Sequence, residues 1–138
     1  MRCGNLVKAN EVVIGNKDGE HVSIQVRPER DSEGWFGANV EVQCDGWHAL
    51  LRANFYRDEL TGFAEEIRML HRYLSGTALL RPIEPFITLK LEGDGKGHVV
   101  VDGCARKSLS TATKLTFRFE IDQTYLAQIA DGLFNANS

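Results

Sequence analysis

Apolar residues fall at every second position through most of this chain, and that rhythm limits its fold more than any other feature. Phe36, Ala38, Val40, Val42 and Cys44 alternate with Gly37, Asn39, Glu41 and Gln43. In an extended chain successive side chains point to opposite sides, so a period of two describes strands with one buried face. The same rhythm runs through Val22, Ile24 and Val26, through Ile87, Leu89 and Leu91, through Val99 and Val101, and through Leu115, Phe117, Phe119 and Ile121. Glu11–Gly15 and Thr77–Leu80 are shorter candidates.

Turn residues punctuate these runs. Asp45-Gly46 tolerates positive φ at both positions and predicts a hairpin. Its returning strand carries Trp47, Ala49, Leu51, Ala53 and Phe55 on one face, with His48, Leu50, Arg52, Asn54 and Tyr56 on the other. Gly93-Asp94-Gly95-Lys96-Gly97 predicts a second tight turn. Pro28 is expected to end its strand, because it has no N–H for the ladder. Two segments switch period. Leu60, Phe63, Ile67, Leu70 and Leu74 recur at helical spacing and predict a helix over about residues 58–75. Asp58 is the expected N-cap and Gly76 the residue just past the end. Tyr125, Leu126, Ile129, Leu133 and Phe134 predict a second helix near residues 123–134, capped by Asp122 and frayed after Asn135. Residues 1–10 are expected to be frayed or a short edge element.

The order is strands, helix, strands, helix, without the alternation a parallel sheet requires. The prediction is therefore an α+β fold: a curved antiparallel β-sheet of about 6–8 strands, split or partly rolled, packed by two α-helices. A chain of 138 residues suits a single domain spanning 1–138. Its core is expected over about residues 11–134.

Composition excludes several classes. Apolar residues at 43% and charged residues at 25% do not describe a disordered chain. The net charge is −3 and Lys and Arg are scattered, which argues against nucleic-acid binding. No run approaches the roughly 20 apolar residues of a membrane span, and the N-terminus lacks a signal-peptide pattern. The three cysteines, Cys3, Cys44 and Cys104, form no CxxC pair. Free thiols suit the cytoplasm, where the protein is expected to reside.

No catalytic, cofactor or metal motif emerges. Lys96 is followed by Gly97 and then a strand, where a phosphate-binding loop needs Ser or Thr and a helix. His21, His48, His71 and His98 lack the spacing of a ligand pair on one element; His71 borders an apolar helix face and reads as packed or capping. There is no GxSxG elbow. Glu65 and Glu66 fall on the solvated side of the first helix. Glu41 and Glu120 fall on polar strand faces, within reach of Arg52 or Arg118 across a ladder.

The polar faces are more informative together. Asn39, Glu41, Gln43, His48, Arg52, Asn54, Tyr56, Lys114, Thr116, Arg118 and Glu120 all point away from the core, and would form one wide surface if their strands were neighbours. Tyr, Trp and Arg are enriched at protein-binding hot spots. The candidate partner-binding residues are Glu41, His48, Arg52, Tyr56, Arg118 and Trp35. Phe36 belongs to the core by parity, while Trp35 fits either a core anchor or an exposed tip.

Three stretches carry a family resemblance. One is the helix from Leu60-Thr61-Gly62-Phe63 to Leu70. The second joins Ala78-Leu79-Leu80, Glu84-Pro85, Leu89-Lys90-Leu91 and Gly97-His98-Val99. The third runs from Leu115-Thr116-Phe117-Arg118 to Asp122-Gln123-Thr124-Tyr125-Leu126. Together they resemble small bacterial proteins related to the WapI-type immunity proteins, over most of residues 20–134. The resemblance implies a cytoplasmic, non-enzymatic protein that binds and blocks a toxin domain, and needs no cofactor. The alternative from the residues alone is a small-molecule binder or small enzyme, with Glu41, His48, Arg52 and Tyr56 lining a pocket between sheet and helices. A homo-oligomer paired through a strand edge or helix is a third.

Overall fold

The computed structural model describes residues 10–137, with side chains through Ala136. The expectations for residues 1–9, including Cys3, and for Ser138 lie outside the described residues.

Eight strands and two α-helices follow in the order β1 (Glu11–Gly15), β2 (His21–Arg30), β3 (Trp35–Cys44), β4 (Trp47–Tyr56), α1 (Glu59–Tyr73), β5 (Ser75–Leu80), β6 (Ile87–Asp94), β7 (His98–Ala105), β8 (Leu115–Asp122) and α2 (Leu126–Asn137). The strands make two antiparallel four-stranded sheets, β1-β2-β3-β4 and β5-β6-β7-β8, each a meander of sequential neighbours. The expected α+β fold is thus present in its split form.

Parity decides what is buried. Val12 and Ile14 of β1, Val22, Ile24 and Val26 of β2, Phe36, Ala38, Val40 and Val42 of β3, and Leu51, Ala53 and Phe55 of β4 share one face of the first sheet. They join Leu89 and Leu91 of β6, Val99 and Val101 of β7, and Phe119 and Ile121 of β8 in one apolar cluster. Leu60, Phe63, Ile67 and Leu70 of α1 and Leu126, Ile129 and Leu133 of α2 complete it. The helices pack on each other, α1 also on β5 and α2 on β1. Each helix therefore packs on the strand that ends one sheet, which helps to shield that edge from pairing with another chain. Glu66 of α1 reinforces this by accepting the N–H of Leu79 in β5 at 2.8 Å. Among the described residues no helix is long and apolar enough to cross a membrane.

The turns behave largely as their chemistry demands, with corrections at several element ends. Asp45 and Gly46 adopt φ of 53° and 84° and close the β3–β4 hairpin. Asp94 accepts the N–H groups of Lys96 and His98, shaping the β6–β7 turn. Pro28, however, does not end β2: the strand continues to Arg30, and Pro28 is exposed where the β2–β3 register shifts between Val26 and Arg30. A bulge tolerates a residue that cannot donate. Asp58 makes no side-chain cap; Glu59 instead accepts the N–H groups of Tyr56 and Ile83, both at 2.7 Å. The helix is ended by Leu74 at φ 63°; Gly76 also has a positive φ, 114°, but already lies in β5. Asp122 does cap as expected, accepting the N–H of Thr124, but a 3-10 turn over Gln123–Tyr125 precedes α2. That helix does not fray after Asn135; it continues through Asn137, with Ala136 buried.

Gly93 permits the close approach of α1's end to the second sheet. A Cβ there would sit 2.7 Å from the carbonyl oxygen of Leu74 and 2.9 Å from Leu70 Cδ1. Backbone cannot swing aside as a side chain can, so Gly93→Ala should destabilise the fold by about 1–3 kcal/mol. A lower urea midpoint at unchanged slope would show it; an unchanged midpoint would mean that α1 and β6 are not held this tightly.

Candidate functional site

The face of the first sheet opposite the core is where chemistry gathers. Along β3 and β4 its ladder pairs Gln43 with His48, Glu41 with Leu50, Asn39 with Arg52, Gly37 with Asn54, and Trp35 with Tyr56. From His48 to Tyr56 this strip is roughly 26 Å long at ~3.3 Å per residue.

At the hairpin end Glu41 joins two histidines. Its carboxylate oxygens lie 2.6 Å from His48 Nε2 and 3.3 Å from His21 Nε2. His21 is 2% exposed, and its Nδ1 donates to the carbonyl of Gly19 at 3.0 Å, since a carbonyl only accepts. Burial raises the pKa of Glu41, but hydrogen bonds from His48 and His21 and their charges outweigh it, so the carboxyl is held below its ordinary value. Beside this cluster Glu11 accepts from Ser23 and Lys17, with the Ser23 side chain buried. Among the described residues no group of three or more His, Cys, Asp or Glu is arranged to hold a metal ion.

The other end is aromatic. Trp35 and Tyr56 are half-buried with ring centroids 4.9 Å apart, and the Arg57 guanidinium lies 4.9 Å from the Tyr56 ring centroid. Leu50, on the same face, is 62% exposed. Between the ends lies a groove of about 890 Å³. Arg27, Asn39, Glu41, Leu50, Arg52 and Asn54 contribute to it from the sheet, and Phe86 and Lys107 from loops flanking β6 and β7. Asn54 donates to Glu84 at 3.1 Å, holding the first of those loops against β4.

Residues 13–136 match the immunity protein WapI-like family. The chain belongs to that family. No curated protein matches it.

Five of the six candidate residues, Trp35, Glu41, His48, Arg52 and Tyr56, share this one face of the family member. Arg118 does not. It lies on the second sheet, opposite Asp102, with Nε 2.6 Å from that carboxylate and a side chain 72% exposed. The condition for one wide surface, that β8 neighbour β3 and β4, is not met, because β8 lies in the second sheet beside β7. Glu41 pairs with histidines and not with Arg52. His71 is exposed in the last turn of α1, beside Arg68 and Arg72, and is not part of the core. Cys44 is buried as expected, its Sγ 3.3 Å from a Glu20 carboxylate oxygen and 3.4 Å from the carbonyl oxygen of Arg118. Burial and the neighbouring Glu20 push its thiol pKa up, away from reactivity.

His21, Arg27, Phe86 and Lys107 join the site from outside the predicted set. Parity is the signal that could have placed His21 and Arg27 on this face, since they alternate with Val22, Ile24 and Val26. Phe86 and Lys107 carry no such signal, because loops bring them in from the other sheet.

The sign of the Glu41 effect follows from its lowered pKa. Ionised Glu41 stabilises the fold above the unfolded carboxyl value of about 4.3, and this contribution is lost as pH falls through the lower folded value. Glu41→Gln should cost less than about 1 kcal/mol at pH 5–6, as for a part-exposed ion pair. The difference from the parent should vanish towards pH 3 in urea titrations. A difference that grows on acidification would contradict the assignment.

Proposed function

We propose that this chain is an immunity protein that binds a toxin domain and blocks it through the polar face of the first sheet, without catalysing a reaction. The composition of that face supports this reading. It combines a half-buried aromatic pair, an exposed leucine, arginines and a groove on rigid strands. Tyr, Trp and Arg dominate the few residues that carry most binding energy, and a preformed surface loses little entropy on association. Inhibition by occlusion needs only such complementarity. The same reading places its action in the cytoplasm, where the thiols of Cys44 and Cys104 would remain free.

Co-expression with the toxin encoded beside its gene is the direct test. Growth should be rescued and the two proteins should co-purify; full toxicity despite good expression would overturn the proposal. Leu50→Ser removes an exposed apolar contact without touching the core. It should weaken the complex about tenfold, or ~1.4 kcal/mol, at an unchanged melting temperature.

A further inference from the structure

Charge within the groove is unevenly spent. Of its lining carboxylates, Glu11 is engaged by Lys17 and Ser23, and Glu41 by His21 and His48. Arg27, Arg52 and Lys107 line the same groove, and none has an ion pair among the described residues. Arg27 is the most constrained of the three. Its guanidinium lies against β3 at Gly37, where a Cβ would come within 2.5 Å of Nη2. Its Nε is buried and has no hydrogen-bond partner among the described residues. The absence of a side chain at Gly37 is thus what lets this guanidinium cross the sheet, and the crossing leaves a desolvated donor unanswered.

Register places the second cation close by. Gly37 pairs with Asn54, and Arg52 stands two residues from Asn54 on the same face of β4. Diagonal positions of this kind are about 7–8 Å apart, within reach of two long side chains converging on one group. Lys107 closes the groove from the loop after β7.

We propose that this groove seats an acidic segment of the protein partner, whose carboxylates pair with Arg27, Arg52 and Lys107. The identity of the partner rests on the toxin-binding reading; the carboxylate chemistry rests on the groove. A guanidinium presents parallel donors that match a carboxylate, and Asn39 and Asn54 supply amide groups suited to the segment's backbone. A polyphosphate chain is disfavoured: the cations form one compact cluster instead of a stripe, on a molecule of net charge −3.

The isotopically labelled full chain is titrated with hexaglutamate and, separately, with an oligothymidylate of ten nucleotides, following amide shifts. Hexaglutamate should saturate shifts centred on Gln25, Gly37, Asn39 and Arg52, and binding should weaken with added salt. The doubly substituted Arg52→Gln, Lys107→Gln chain alters only exposed residues and should bind at least tenfold more weakly. Absence of localised shifts, or tighter saturation of the same amides by the oligonucleotide, would overturn the proposal. Toxin neutralisation separates the two ideas. If the double variant protects as well as the parent, the acidic-segment proposal fails and the immunity reading stands. If the parent does not protect while hexaglutamate still binds the groove, the reverse holds.

Discussion

The core takes side chains of one parity from each strand of the first sheet, and the β2–β3–β4 register makes that choice for all three strands at once. Ile24, Val40 and Leu51 lie side by side over the core. A slip of one residue in β2 or β3 would put Ser23 or Gln25 in the place of Ile24, or Asn39 or Glu41 in the place of Val40, and drive the displaced apolar side chain outward. The penalty locks the ladder. The same lock fixes the other face: with Ile24, Val40 and Leu51 inward, Glu41, Arg52 and Asn54 must point outward in a set order. The proposed binding surface is the reverse side of the core.

The helices finish what the sheets begin. Neither sheet can shelter its own apolar face, so they share one interior with α1 and α2. Coverage of β1 by α2 and of β5 by α1 leaves the polar face of the first sheet uncovered by either helix. Glu59 illustrates how tightly the parts interlock: one carboxylate ties the end of β4, the start of α1 and the loop before β6.

Much of this is legible in the residues. Alternation marks β2, β3, β4, β6 and β8, and Asp122 announces the turn into α2. What fails is either non-local or a contest between local preferences. Periodicity gives the face of a strand but not its neighbour, so it groups Arg118 with Arg52. Pro28 reads as a stop because a bulge is invisible without the partner strand. Leu74 takes the left-handed position that ends α1, ahead of Gly76, since β5 begins at Ser75 and the chain must turn earlier. The candidate site divides in the same way. Its floor follows from parity, whereas Phe86 and Lys107 come from loops that only the folded chain brings near β4.

The histidines and the arginines serve this face differently. Glu41, held by His21 and His48, is a satisfied cluster that stiffens the hairpin end. Arg27 has a buried Nε with no hydrogen-bond partner among the described residues, and the proposed docking role of this face leans on it. Hydrogen–deuterium exchange on the toxin complex tests this most directly. The account predicts new protection over residues 35–57, in β3 and β4, with β6–β8 unchanged. Protection confined to the second sheet or the helices would contradict it.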